Sequence, residues 1–257
     1  AADLNADGLP DLAVMDSSNL HVLLNEGGGT FRRAAAFAEE EYDRVLTAAD
    51  INGDGRPDLV WAGAFEVLVF INNGDGTFKE AVRNPLKRPW PDILLAAELS
   101  GDGRTDFVLA DGAVWVLLNQ GDGTFAGEVK YDAGAVGGVR VDNLVAQDLN
   151  GDGWLDLAAA FAGCNWCDPQ TESGVSVFLN RGFGTFRAAG IYRIGQGADH
   201  WIYSPRIPLI AADFDGDASP DLATSCCPLG IDWQPATGGY VTVLLNQGDG
   251  AFREPMD

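Results

Sequence analysis

Five nine-residue windows carry oxygen-bearing side chains at positions 1, 3, 5 and 9. They are Asp3, Asn5, Asp7, Asp11; Asp50, Asn52, Asp54, Asp58; Glu98, Ser100, Asp102, Asp106; Asp148, Asn150, Asp152, Asp156; and Asp213, Asp215, Asp217, Asp221. Position 6 is Gly in four windows and Ala218 in the fifth. Alternate oxygens on a loop bent at a small residue can converge on one point. That arrangement suits a hard cation that takes six to eight oxygen ligands. The position-7 carbonyl is a further expected ligand, from Leu9, Arg56, Arg104, Trp154 or Ser219. Ca²⁺ is favoured over Mg²⁺, which prefers to keep several waters. Up to five Ca²⁺ are expected. Loop 3 is the weakest, since Glu98 is longer than Asp and Ser100 is neutral. Ala218 is expected to strain the bend of loop 5. Asp, Asn and Gly are also ordinary turn residues, but five windows in register favour a cation. These loops are not EF-hands. Position 12 should be a bidentate Glu, and here it is Val14, Trp61, Leu109, Ala159 or Thr224.

The elements that hold these loops follow from the repeats. A second phrase follows each window: NEGGGTF from Asn25, NNGDGTF from Asn72, NQGDGTF from Asn119, NRGFGTF from Asn180 and NQGDGAF from Asn246. The windows begin 47, 48, 50 and 65 residues apart. Each repeat reads as four short strands. The first precedes the acidic window, as in Val45–Ala49, and the second follows it, as in Asp58–Ala62. The third ends at the turn Asn, in the runs 22–24, 67–71, 114–118, 175–179 and 241–245. Then N-x-G-x-G turns the chain, and Thr-Phe opens the fourth. No stretch has a capped 3.6-residue period, so no major helix is expected. Four-stranded units of this length, repeated without linkers, predict an all-β chain, a β-propeller with one repeat per blade. The repeats lie at about 1–44, 45–92, 93–143, 144–207 and 208–257, within one expected domain.

The pairing of D-x-N-x-D-G-x-x-D-L with N-x-G-D-G-T-F resembles the FG-GAP/VCBS repeats of integrin-α-type β-propellers. The resemblance runs over essentially the whole chain. It implies calcium-stabilised blades and an extracellular adhesion, lectin or accessory role. Members often have seven blades. Five repeats are present here, as a five-bladed ring or part of a larger propeller.

Composition agrees with this reading. The chain has 257 residues, 38 acids and 16 bases, for a net charge of −22. Such an excess of acid excludes non-specific binding to a phosphate backbone or an anionic membrane surface. No apolar run reaches a membrane-spanning length. Sixteen of the acids lie in the five windows, and five Ca²⁺ would bring −22 to −12. There is no initiator Met and no leader before Ala1, so the chain is expected to be a mature or excised segment.

Departures from the repeat mark a second candidate region. The first acid and the turn Asn are separated by 22, 22 and 21 residues in repeats 1 to 3, but by 32 and 33 in repeats 4 and 5. The additions fall between the second and third strands, at the blade end opposite the acidic windows. They hold Trp166, Asp168 and Trp233. The connection between repeats 4 and 5 supplies His200, Trp201, Tyr203 and Arg206. Aromatic and polar residues on loops suit sugar stacking or a protein contact. Equally, the Trp residues could simply pack the loops down. All four Cys (Cys164, Cys167, Cys226, Cys227) lie here and allow three disulfide pairings. Disulfides suit an extracellular protein. No G-x-S-x-G, H-E-x-x-H or P-loop is present, so an enzyme is not favoured. The expected function is extracellular recognition or adhesion, with a carbohydrate or an extracellular protein as partner and no nucleic acid. The alternatives are a polysaccharide-active lyase or hydrolase, and head-to-tail self-assembly.

Overall fold

The computed structural model describes residues 1–16, 19–38, 45–87, 91–134, 140–162, 172–196, 207–226 and 240–253. All its regular structure is β, and no helix occurs among the described residues. Repeat 1 gives β1 (Leu12–Met15), β2 (Asn19–Asn25) and β3 (Phe31–Ala38). Repeat 2 gives β4 (Val45–Ala49), β5 (Asp58–Ala62), β6 (Glu66–Phe70) and β7 (Val82–Pro85). Repeat 3 gives β8 (Ile93–Ala97), β9 (Asp106–Ala110), β10 (Val114–Leu117) and β11 (Val129–Tyr131). Repeat 4 gives β12 (Arg140–Gln147), β13 (Asp156–Ala162), β14 (Glu172–Asn180) and β15 (Phe186–Gln196). Repeat 5 gives β16 (Leu209–Ala212), β17 (Asp221–Cys226) and β18 (Tyr240–Leu244).

Each repeat forms its own sheet, with strands paired in chain order like the blades of a propeller. Sheets 2, 3 and 4 have four strands, and sheets 1 and 5 have three. In repeat 1 the first strand is reduced to a single bridge, Ala2 to Asp11. The second strands read as unbroken apolar runs because both their faces are covered. Every residue of β5 and β9 is buried, as is β13 through Phe161.

By its contacts the chain divides into two compact units. The first holds residues 1–98, 102–107 and 117–128, and the second holds 99–101, 108–116 and 129–257. The first has a core of Leu4, Leu20, Val22, Leu24, Leu59, Trp61, Leu68 and Phe70. The second is built on Leu149, Ala158, Val175, Val177, Leu179, Leu222, Leu244 and Phe252.

The turn Asn joins neighbouring sheets. Asn72 Nδ2 donates to the Leu4 carbonyl of the preceding repeat, at 3.0 Å. Asn119 does the same to Ile51 at 2.8 Å, Asn180 to Leu99 at 2.9 Å, and Asn246 to Leu149 at 2.8 Å. The accepting residues are 0–1% exposed, so these bonds are made away from water. The sequence reading gives the Asn only a turn role. This second role depends on how sheets stack, which a local motif does not encode.

Candidate metal loops and the turns beside them

Antiparallel pairing brings each acidic window and its N-x-G-x-G turn to the same end of the sheet. The position-9 Asp locks them together. In repeat 4, Asp156 Oδ2 accepts from Leu149 N at 2.9 Å and Oδ1 accepts from Asn180 N at 2.7 Å. Asp11, Asp58 and Asp221 make the same two bonds. Asp106 makes the bond to Asn119 N at 2.8 Å. All five are 0% exposed. Burial pushes the Asp58 carboxyl up, against the pull of its two N–H donors. Burial likewise pushes Asp156 up to about 6.

The other acids are half-buried or exposed and fold the loop on itself. Asp50 Oδ1 accepts from Gly53 N at 2.8 Å and from Asp54 N at 3.1 Å, while Oδ2 accepts from Gly55 N at 2.8 Å. Asp148 and Asp213 repeat this pattern, and Asp3 repeats its outer part. The position-5 carboxylates, Asp7, Asp54, Asp102, Asp152 and Asp217, each accept from the position-7 N–H. Asp54 is held below the ordinary carboxylate range, chiefly by the Arg56 guanidinium, and Asp213 by the Gly216 and Ala218 N–H groups. Among the described residues, Asp213, Asp215 and Asp221 offer ligand oxygens all within 4.8 Å of one another. Three convergent carboxylates are a donor set that fits a hard cation. The bend at position 6 needs positive φ. It is +84° at Gly8, +82° at Gly55 and +74° at Ala218, so loop 5 carries the expected strain.

The turns fall into two classes. In repeats 2, 3 and 5 the middle residue is Asp, and in repeat 5 Asp249 accepts from Ala251 N at 3.0 Å. Asp75 accepts from Thr77 N at 2.9 Å, and Asp122 accepts from Thr124 N at 2.9 Å. The Thr77 and Thr124 hydroxyls donate to the same oxygens, and these bonds, with the N–H bonds after them, hold the Asp75 and Asp122 carboxyls below their ordinary range. In repeats 1 and 4 the middle residue is Gly28 or Phe183, which has no carboxylate to close the turn. The Thr hydroxyl then donates to a turn carbonyl, Thr30 to Gly27 at 2.7 Å and Thr185 to Gly182 at 2.9 Å. The middle residue flips to positive φ, +62° at Gly28 and +57° at Phe183. For Phe this costs about 1–3 kcal/mol. The fourth strand follows the same division. It opens at Thr-Phe, as the sequence predicts, in repeats 1 and 4. After the Asp turns of repeats 2 and 3, Phe78 and Phe125 make only single bridges, and β7 and β11 begin later.

In repeats 2 to 4 the position-7 side chain lies over the first turn glycine of its own repeat. Arg56 covers Gly74, Arg104 covers Gly121 and Trp154 covers Gly182. Trp154 also lies across Gly101, where a Cβ would fall 2.4 Å from its Cη2. Its ring centroid is 6.0 Å from that of Phe183, which is 76% exposed.

The second candidate region is not placed. Trp166, Asp168, His200, Trp201, Tyr203, Arg206, Trp233, Cys164, Cys167 and Cys227 lie outside the described residues. Cys226 enters only as the last residue of β17. His21 pairs with Asp16 at 2.8 Å, a local contact within sheet 1.

The model of the FG-GAP-like repeat matches the chain at residues 3–61, 50–109, 98–159 and 148–224, each match running from one acidic window through the next. The chain belongs to the FG-GAP-like repeat family. Among solved structures, this FG-GAP chain is similar to an Agrocybe aegerita lectin with specific recognition of non-reducing terminal N-acetylglucosamine. The identity is 26% and the TM-score 0.65, over 99% of this chain and 64% of that one. It is also matched to a Photorhabdus luminescens Tc holotoxin pore at 16% identity and a TM-score of 0.44, over 99% of this chain and 14% of that one. The second likeness is too weak to carry an argument. No curated protein sequence matches.

Proposed function

We propose that this FG-GAP-repeat protein is an extracellular carbohydrate-recognition module of β-propeller type, with calcium in its acidic loops. The observation that carries this reading is the likeness to the N-acetylglucosamine-recognising lectin, which extends over 99% of the chain. The convergence of Asp213, Asp215 and Asp221 supports the metal. Bound calcium would tie the side-chain oxygens of positions 1, 3 and 5 to the buried Asp of position 9. The ion would thereby fix each loop, and the turn clamped to it, in one geometry. A rigid scaffold of this kind presents loop side chains to a sugar at low entropic cost.

The test is a glycan array probed in calcium and again after chelation. Binding in calcium that falls on chelation is expected. An array blank under both conditions would remove the carbohydrate reading. Binding that chelation leaves untouched would separate the metal from recognition.

A further inference from the structure

We infer that Trp154 and Phe183 form a sugar-binding platform at the acidic-loop end of sheet 4. This rests on the carbohydrate reading above and gives that recognition a site. In repeats 2 and 3 the same two positions hold Arg56 with Asp75 and Arg104 with Asp122. Repeat 4 exchanges both members for aromatics. The exchange removes the carboxylate that closes the turn and forces Phe183 to φ +57°. It also leaves the ring 76% exposed. A strained, exposed aromatic runs against folding on both counts, and strain kept at an exposed position points to function.

The platform is preorganised. Asp152 Oδ1 fixes the Trp154 backbone N–H at 2.9 Å. Gly101 and Gly182 provide a flat bed for the indole, the nearest ring atom lying 3.5 Å from a Cβ built at Gly182. Rigid aromatic anchors lose little freedom on binding. The two ring centroids lie 6.0 Å apart and the rings are tilted by 48° to one another. A pyranose presents one face of C–H groups that an aromatic ring can take, with hydroxyls around its edge. Exposed Asp152 and Arg181, each two residues from a platform ring in sequence, are polar groups suited to those hydroxyls. The scale favours a sugar over a protein. Two aromatic side chains bury on the order of 150–250 Å² each, against roughly 800 Å² per partner in a stable protein interface.

The experiment compares the whole chain with Phe183→Asp. The variant restores the turn of repeats 2 and 3, so the protein should fold at least as well as the parent. N-acetylglucosamine, galactose and mannose are titrated in calcium by calorimetry, with saturation-transfer NMR to detect ring contact. The expected result is an affinity at least tenfold weaker in Phe183→Asp for whichever pyranose the parent binds, together with a higher Tm. Trp154→Arg should weaken binding similarly. A merely structural Phe183 would lower Tm and leave affinity alone. Unchanged affinity in Phe183→Asp would overturn the platform and leave the carbohydrate reading intact. A parent that binds none of the three and is blank on the array would overturn both.

Discussion

Two kinds of acid share each nine-residue window, and they do opposite work. Asp156 is buried and pushed up to about 6. Asp213 and Asp54 lie in the solvent and are held low by N–H and guanidinium donors. The inner acid is first a part of the fold, since its oxygens are engaged by the N–H groups of the loop and the turn, and in loop 5 Asp221 also brings an oxygen within 4.8 Å of those of Asp213 and Asp215. The outer acids belong to the solvent or to a cation. A motif that looks uniform in sequence therefore divides between structure and binding, and burial makes the division.

The largest expected effect comes from the outer acids acting together. Adding Ca²⁺ to chelated protein should raise Tm sharply, because each site filled at a hundred times its Kd contributes about 2.7 kcal/mol. Melting that ignores calcium would show that the windows are turns only. The inner acid should matter without metal. Asp156→Ala orphans the Leu149 and Asn180 N–H groups and should cost about 3 kcal/mol in urea denaturation. Asp152→Ala, at an exposed position, should cost under ~1 kcal/mol. Similar losses from the two variants would erase the distinction.

The pH dependence of the metal-free protein sharpens it further. Burial raises Asp156 from 3.8 to about 6, so its contribution is fully present below pH 3.8 and is lost as pH rises through about 6. Asp58 shifts in the same direction. Asp54 and Asp213, held low, act the other way only below pH 3.8. The chelated protein should therefore be less stable at pH 7 than at pH 5, with a smaller slope in Asp156→Asn. A midpoint that rises over this range would contradict the assignment.

Smaller effects test the joints. Asn119→Ala removes bonds to both Ile51 and Thr105 and should cost about 2 kcal/mol. Asn25 Nδ2 has a bond to Pro10, within its own repeat, so Asn25→Ala should cost about 1 kcal/mol. Ala218→Gly relieves a φ of +74° and should add about 1 kcal/mol.

Much of this was legible in the chain itself. The all-β class, the repeats, the acidic windows and the strand positions, apart from the fourth strands of repeats 2 and 3, follow from local pattern, because strand period, turn chemistry and ligand spacing are set by neighbours in sequence. Strain at Ala218 was legible for the same reason, as a Cβ where its counterparts have none. Tertiary structure decided the rest. That Asp58 and Asp156 are clamps while Asp54 and Asp213 are exposed depends on which side of the loop packs against the sheet. That Asn72, Asn119, Asn180 and Asn246 reach the preceding repeat depends on stacking between residues 68 to 97 apart. The exchange of Arg and Asp for Trp154 and Phe183 could be read in the aligned repeats, at positions 29 residues apart. Only the fold shows that the two rings meet, because antiparallel pairing returns the turn to the loop.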